Sequence, residues 1–263
     1  MGDPPGGSDG NRSEEDAGSV RRVGGGCRLA SEPVSAESPP KIEGTIAIAA
    51  VLTGVAGFVD AHIFVHVTEV FVANQSGNVV LFGIFLGERR WPEVAAHILS
   101  ITMFAIGVAV GTTIHDRRLR AGRALRPDLI LFAEAAMIAA VIVLRVIDGP
   151  SPVLTVDAMD YPVILLGALA MGLQTVVIGK VGSVAVATTY ESGAVARVGE
   201  EAALASRPGR PADERRRHTA VVKVLLIVVG SYAAGATLAA AANRSPAWLL
   251  LPLAVVLACA TLA

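Results

Sequence analysis

The sequence predicts an all-α, polytopic membrane protein, and three observations carry that prediction. Of 263 residues, 53% are hydrophobic and 17% charged, where soluble domains carry roughly 25% charged residues; mean hydropathy is +0.58. The charges gather in the first forty residues and in two arginine-rich stretches. Between them lie apolar runs long enough to cross a hydrocarbon core of about 30 Å at about 1.5 Å per residue. Lys+Arg number 22 against Asp+Glu 23, a balance that excludes a generally basic nucleic-acid binder. Cys27 and Cys259 stand at opposite ends and match neither a disulfide framework nor a metal spacing.

Residues 1–41 are rich in Gly, Ser, Pro and Glu and hold almost no apolar run, which predicts a disordered tail. No basic start followed by an apolar core marks a signal peptide there. The membrane domain is expected over 42–263. Ile42 to Phe64 is the first span; Thr53, Gly57, Asp60 and Phe64 share one helical face, and Asp60 falls roughly 24 Å beyond Gly44, towards the far side. Val70 to Leu86 is apolar but interrupted by Asn74, Gln75, Ser76, Gly77 and Asn78. Lipid-facing helices exclude such a cluster, whereas a broken or re-entrant helix lining a cavity accepts it.

Trp91 to Ile114 is a clean span with an interfacial Trp91 and a small-residue face at Gly107 and Gly111. An arginine cluster follows, from Arg117 to Arg126. Leu129 to Leu144 is the next run, and an aspartate-rich loop spans 148–160. Tyr161 to Ile178 carries Gln174. Val181 to Leu204 is broken by Thr188, Thr189, Tyr190, Glu191 and Ser192, followed by Gly193. The second basic stretch, Arg207 to His218, precedes a span from Ala220 to Ala242 with Ser231 and Gly235, and Trp248 opens the last run.

Eight complete crossings would put the two basic stretches on opposite sides, against the positive-inside rule. Leaving the two broken runs short of a full crossing gives about six transmembrane helices, with both basic stretches and both termini in the cytoplasm. Arg89 and Arg90 then fall outside. Each half, about 42–145 and 161–263, reads as span, broken segment, small-faced span, span. Three crossings per half make the halves inverted, a recurring design in secondary transporters. On this reading Gly107 and Gly111 correspond to Ser231 and Gly235, Ser76-Gly77 to Ser192-Gly193, and Gln174 to Asp60. The small-residue faces suit packing within one chain or in a homo-oligomer.

The segments Gly57 to Ala61, Val70 to Asn78, Gly172 to Gln174 and Thr188 to Gly193 resemble the YoaK family, also called DUF1275, over about Ile46 to the C-terminus. The resemblance implies a bacterial inner-membrane protein of a kind described as a small-molecule transporter or left without a role. Gln75 replaces a usual apolar residue there, Ser76 and Ser192 replace threonine, and Tyr190-Glu191 is unusually polar.

Polar groups at membrane depth are the candidate solute site. Asp60 suits a proton- or cation-coupling carboxylate or a cap for the broken segment. Asn74, Gln75, Ser76 and Asn78 offer amides and hydroxyls around the bend at Gly77, and Gln174, Thr188, Thr189, Ser192 and Gly193 are their counterparts. His62 and His66 lie one turn apart but make only two ligands, so no metal is expected. Glu191 and Arg197 flank the second break and suit a pair. Glu134, one turn inside its run, is assigned no role. No cofactor is expected. The chain lacks a phosphate loop and the nucleophile–base pair an intramembrane enzyme needs. The expectation is a secondary transporter of a small polar solute; the alternative is a membrane-embedded sensor or accessory subunit that binds lipid or a protein partner.

Overall fold

A computed structural model describes residues 42–123, 126–149, 156–177 and 191–262, with the side chains of 42–45, 191 and 192 outside the description. The expected tail, Thr188 and Thr189 lie outside the described residues. Where described, the chain is helical: α1 (Ile42–His66), α2 (Gln75–Gly87), α3 (Trp91–Arg120), α4 (Pro127–Asp148), α5 (Asp160–Val177), α6 (Glu191–Ser206), α7 (Ala212–Ala241), and a 3-10 turn (Pro246–Leu249) leading into α8 (Leu250–Leu262).

Helices α1, α3, α4, α5 and α7 are long and apolar enough to cross a membrane. The sixth expected span, Pro246–Leu262, is apolar but shorter. Large apolar side chains stand exposed on the outward faces, among them Ile98, Ile106, Val110, Phe132, Val143, Leu226, Ile227 and Leu238. A soluble protein rarely shows so much; hydrocarbon is the solvent that suits them.

Contacts fix the relative directions of the spans. Tyr161 donates to the Pro92 carbonyl at 3.1 Å, Gly107 meets Gly172, and Gly111 meets Val176, so α3 and α5 run parallel. Gly54 meets Ser231, Gly235 meets Phe58, and the His66 ring lies 3.0 Å from the Ala239 carbonyl, so α1 and α7 run parallel. Gln174 reaches the Leu52 carbonyl while Gly167 faces Ile63, so α1 and α5 are antiparallel. Consequently α1 ends on the side where α3 begins. Helix α2, 13 residues and about 20 Å long, returns to the side it left and does not cross. Likewise α5 ends on the side where α7 begins, and α6 folds back along α7 through Glu201–His218 at 2.6 Å and Arg215 to the Ala205 carbonyl at 3.0 Å.

The same directions gather Arg117, Arg118, Arg120 and Arg123 of the α3 end with Arg207, Arg210, Arg215, Arg216 and Arg217 of the α6–α7 corner at one end of the bundle, the basic end. Trp91 and Trp248 open α3 and α8 at the other, where Asp148, Asp157 and Asp160 also lie. Arg90, an exception to the charge rule, sits at this second end paired with Glu93 at 2.7 Å and 4.3 Å above the Phe85 ring.

The two closest helix pairs are built alike. A Cβ on Gly57 would lie 2.2 Å from the Tyr232 carbonyl oxygen, and one on Gly235, three residues beyond Tyr232, 2.0 Å from that of Gly54, three before Gly57. In the other pair, a Cβ on Gly172 would lie 2.3 Å from the Phe104 carbonyl oxygen, and one on Gly107, three beyond Phe104, 2.5 Å from that of Leu169, three before Gly172. The flanking contacts follow suit, since α2 packs on α3 as α6 does on α7, and α4 on α5 as α8 does on α1. This register shifts two expected pairings. Gly107 stands where Gly235 stands, rather than Ser231, and the residue three beyond Gly172, matching Asp60, is Thr175 rather than Gln174. Both small-residue faces are used within the chain.

Backbone contact of this kind leaves no room for a side chain, and overpacking costs roughly 1–3 kcal/mol. Gly235→Val and Gly172→Val should therefore lower the thermal unfolding midpoint in detergent, whereas Gly83→Ala, with no atom within 4 Å of its would-be Cβ, should leave it unchanged. In a background with Cys27 and Cys259 replaced by serine, Arg120→Cys and Arg216→Cys should label with an impermeant thiol reagent from the same side of the membrane.

Candidate functional site

The α1–α2 reversal is organised by Asp60, six residues before the end of α1 and 1% exposed. Its Oδ1 accepts from the backbone N–H of Val72 at 2.6 Å and of Ala73 at 2.7 Å. Oδ2 accepts from the N–H of Asn74 at 3.1 Å and from the Tyr232 hydroxyl of α7. A carboxylate offers about four acceptor positions, and here all are taken. The chain after His66 thus doubles back about 9 Å to the level of Asp60 before α2 begins. Expected as a solute-facing group or a cap, Asp60 serves as the cap: three N–H groups ahead of a helix start would otherwise lack partners in an apolar setting.

The remaining polar residues of the break close on the backbone beside them. Asn78 is fully buried; its Oδ1 accepts from the Phe71 N–H at 3.0 Å and its Nδ2 donates to the Phe71 carbonyl at 2.7 Å. Nδ2 also lies 2.8 Å from Gln75 Oε1 and 3.1 Å from Ser100 Oγ of α3. Ser100 donates to the same Phe71 carbonyl at 2.6 Å, and Gln75 donates to that of Val72 at 3.1 Å. Asn74 is the N-cap of α2, accepting from the Gly77 N–H at 3.3 Å and the Ser76 hydroxyl at 2.8 Å. Gly77 leaves room for the Phe71 ring, 2.8 Å from its would-be Cβ, and that ring stacks on Phe64. Of the five, Ser76 points to the exposed surface.

The second set is placed elsewhere. Gln174 is buried and donates to the Leu52 carbonyl at 2.5 Å. Leu52 lies two turns, about 12 Å, from Asp60 along α1, so the structure does not join Gln174 to the Asp60 cluster. Gly193 lies in the first turn of α6, as does the backbone of Ser192. Arg197 approaches Glu201 at 3.9 Å. His62 and His66 contact edge to face at 5.1 Å between ring centroids, with His62 stacked on Phe58.

Sequence reasoning passed over several groups. Tyr232 and Ser100 complete the two networks, yet a single hydroxyl in an apolar run is commonplace because it bonds its own helix. Arg145 and Asp160 are buried together at the α4–α5 hairpin, Arg145 lying 2.5 Å from Asp148 and 3.7 Å from Asp160. Glu134 is 0% exposed, and neither of its carboxyl oxygens has a hydrogen-bond partner among the described residues. Gln174 Oε1 is in the same condition. The signal for Glu134 was available, as an acid inside an apolar run; its burial was not.

Fold and polar interior together define a multi-pass α-helical membrane protein. The chain belongs to the DUF1275 family, described as a protein of unknown function, which matches residues 48–263. It is 26% identical over 192 residues to the UPF0700 transmembrane protein YoaK of Bacillus subtilis (strain 168), covering 72% of this chain and 79% of that protein. No solved structure matches it.

Each buried donor left without an acceptor costs about 1–3 kcal/mol. Asp60→Asn replaces one acceptor oxygen with a donor and should lower stability by that amount for each of the donors it displaces. Tyr232→Phe, which removes one donor and leaves the backbone cap, should do less. Thermal unfolding, with tryptic cleavage at Arg89 and Arg90 as a report on the α2–α3 turn, measures both.

Proposed function

We propose that this protein is a secondary transporter of a small polar solute across the bacterial inner membrane, built as an inverted repeat of α1–α4 and α5–α8. The observation that carries the reading is the twinned pair of glycine crossings, made by two parallel helix pairs whose leading members, α1 and α5, run antiparallel. Inverted repeats with short, non-crossing helices in corresponding positions are the recurring architecture of alternating access. The basic end faces the cytoplasm on this reading, because positively charged stretches stay inside, and both termini lie there.

The halves meet along α1–α7, α3–α5, α4–α5, α4–α8 and α1–α8, where rocking of one half against the other would take place. Backbone against backbone at the glycine crossings suits that motion, since no interdigitated side chains have to be withdrawn. The halves are not chemically equal. Asp60 and Tyr232 of one crossing correspond to Thr175 and Phe104 of the other, and Thr175 bonds its own helix at the Met171 carbonyl, 2.9 Å away. One crossing is therefore tied to a re-entrant helix by a carboxylate, where the other carries a threonine.

One observation favours the sensor or accessory reading. Arg215, Arg216, Thr219 and Lys223 line a cleft of about 500 Å³ beside Ala205 at the basic end. Such a cleft, at the level of the lipid head groups, suits an anionic lipid.

The test is uptake by proteoliposomes against a broad panel of small polar solutes. The expected outcome is saturable uptake of at least one solute, abolished by a disulfide joining α3 to α5 and restored on reduction. Failure of every solute to move, with co-purification of a stoichiometric partner or anionic lipid lost in Arg216→Ala/Lys223→Ala, would select the other reading.

A further inference from the structure

The polar atoms of the α1–α2 reversal are nearly all paired within the protein, so the exceptions elsewhere stand out. Glu134 lies seven residues into α4, about 10 Å from the basic end. It is wholly buried and neither carboxyl oxygen has a partner. Helix α4 packs on α5, on α8 and on the turn before α8. Leu131, Ala135 and Ile138 of its own helix belong to the buried core. Helix α8 and the turn before it carry no Asp, Glu, Lys, Arg or His between Pro246 and Leu262, and their titratable side chain is the buried Cys259. On α5 the titratable residues are Asp160 and Tyr161, both at the opposite end, and Arg145 and Asp148 of α4 lie at that end too. Asp128 is almost two turns away on α4 and bound to Arg126 at 2.6 Å.

A second unpaired acceptor lies nearby in the fold. Helices α4 and α5 form an antiparallel hairpin closed by Arg145 and Asp160. Counting equal steps from that closure sets Glu134 level with Met171, and Gln174 about one turn further on. Gln174 Oε1 is buried without a donor, while its amide nitrogen is held by Leu52. Among the described residues, these three acceptor oxygens of α4 and α5 have no hydrogen-bond donor.

An ionised carboxylate with no counter-charge and no hydrogen bond is several kcal/mol out of place in such surroundings. A single proton removes the charge and also provides a donor. We propose that Glu134 binds and releases a proton and is the proton site of this carrier. Uptake is simple in balance: carboxylate plus one proton from the water on whichever side the site faces gives the carboxylic acid, and the reverse step returns the proton to the other side. Asp60, with its oxygens fully engaged by the α2 backbone and Tyr232, is the anchoring carboxylate instead. The coupling role rests on the transport reading, but the proton site does not.

Infrared difference spectra of the wild-type protein in lipid, titrated across roughly pH 5 to 9, where functional carboxyls are commonly tuned, test the site without a solute. The expected result is a protonated-carboxyl C=O band that shifts in D₂O, disappears as pH rises, and is absent from Glu134→Gln. That variant should unfold at the same temperature as wild type or higher. A band missing at every pH, a band that persists unchanged to the alkaline limit, or one that survives in Glu134→Gln would overturn the proposal. So would removal of the band by Na⁺ at fixed pH, which would assign the site to a metal cation. In proteoliposomes, once a transported solute is found, a pH gradient should accelerate wild-type uptake and should have no effect on the uptake that remains in Glu134→Gln. Unchanged gradient dependence would overturn the coupling role, whereas absence of any flux alongside a titrating infrared band would overturn the transport reading and leave the proton site standing.

Discussion

Hydrocarbon contains nothing that can bond to a bare N–H group, and the return of the chain after α1 is arranged around that fact. Where α1 stops, the backbone re-enters the apolar region and must start a new helix there, with unpaired N–H groups at its head. Asp60 takes three of them, at Val72, Ala73 and Asn74, and Tyr232 fills its last position. Because Asp60 belongs to α1 and Tyr232 to α7, the carboxylate also ties α2 to the α1–α7 pair. Asn78 then closes both backbone groups of Phe71, and Ser100 extends the tie to α3. The cluster of polar residues that interrupts the second apolar run is thereby a joint between three spans.

Helix association in lipid relies on close contact, since lipid tails offer no hydrophobic gain for bringing helices together. Here the contact is backbone on backbone at Gly57 and Gly235 on one side and at Gly107 and Gly172 on the other. The three-residue steps match in the two crossings, and Thr175 stands in one where Asp60 stands in the other.

Polar groups in the interior fall into two kinds. Those of Asp60 and of the Asn74–Asn78 cluster have found their partners and account for local shape, although Thr68 Oγ1 and His62 Nδ1 beside them have not. Arg145 is held between Asp148 and Asp160 at the α4–α5 hairpin, where a lone buried charge would be costly. Glu134 and the carbonyl of Gln174 have not found partners, and it is this lack, rather than membership of a motif, that marks them. The most conspicuous polar motif in the chain is therefore its best-satisfied region, and the proton site proposed here lies in a helix that reads as plain.

Composition and run length by themselves determined that this is an all-α membrane protein, and the placement of arginines determined that the two broken runs turn back. Both conclusions rest on solvation, a property of each residue type that does not depend on its neighbours. The polar interruption at Asn74 to Asn78 was legible for the same reason. What the polar groups do was decided by tertiary structure, because a carboxylate reads identically in sequence whether it meets four donors, as Asp60 does, or none, as Glu134 does. The match between the two crossings was likewise displaced, by one turn at Ser231 and by one residue at Gln174, until Gly54, Gly57 and Tyr232 could be set beside Leu169, Gly172 and Phe104. Small residues recur often enough in membrane helices to align in several registers, and only the distance between two backbones selects one.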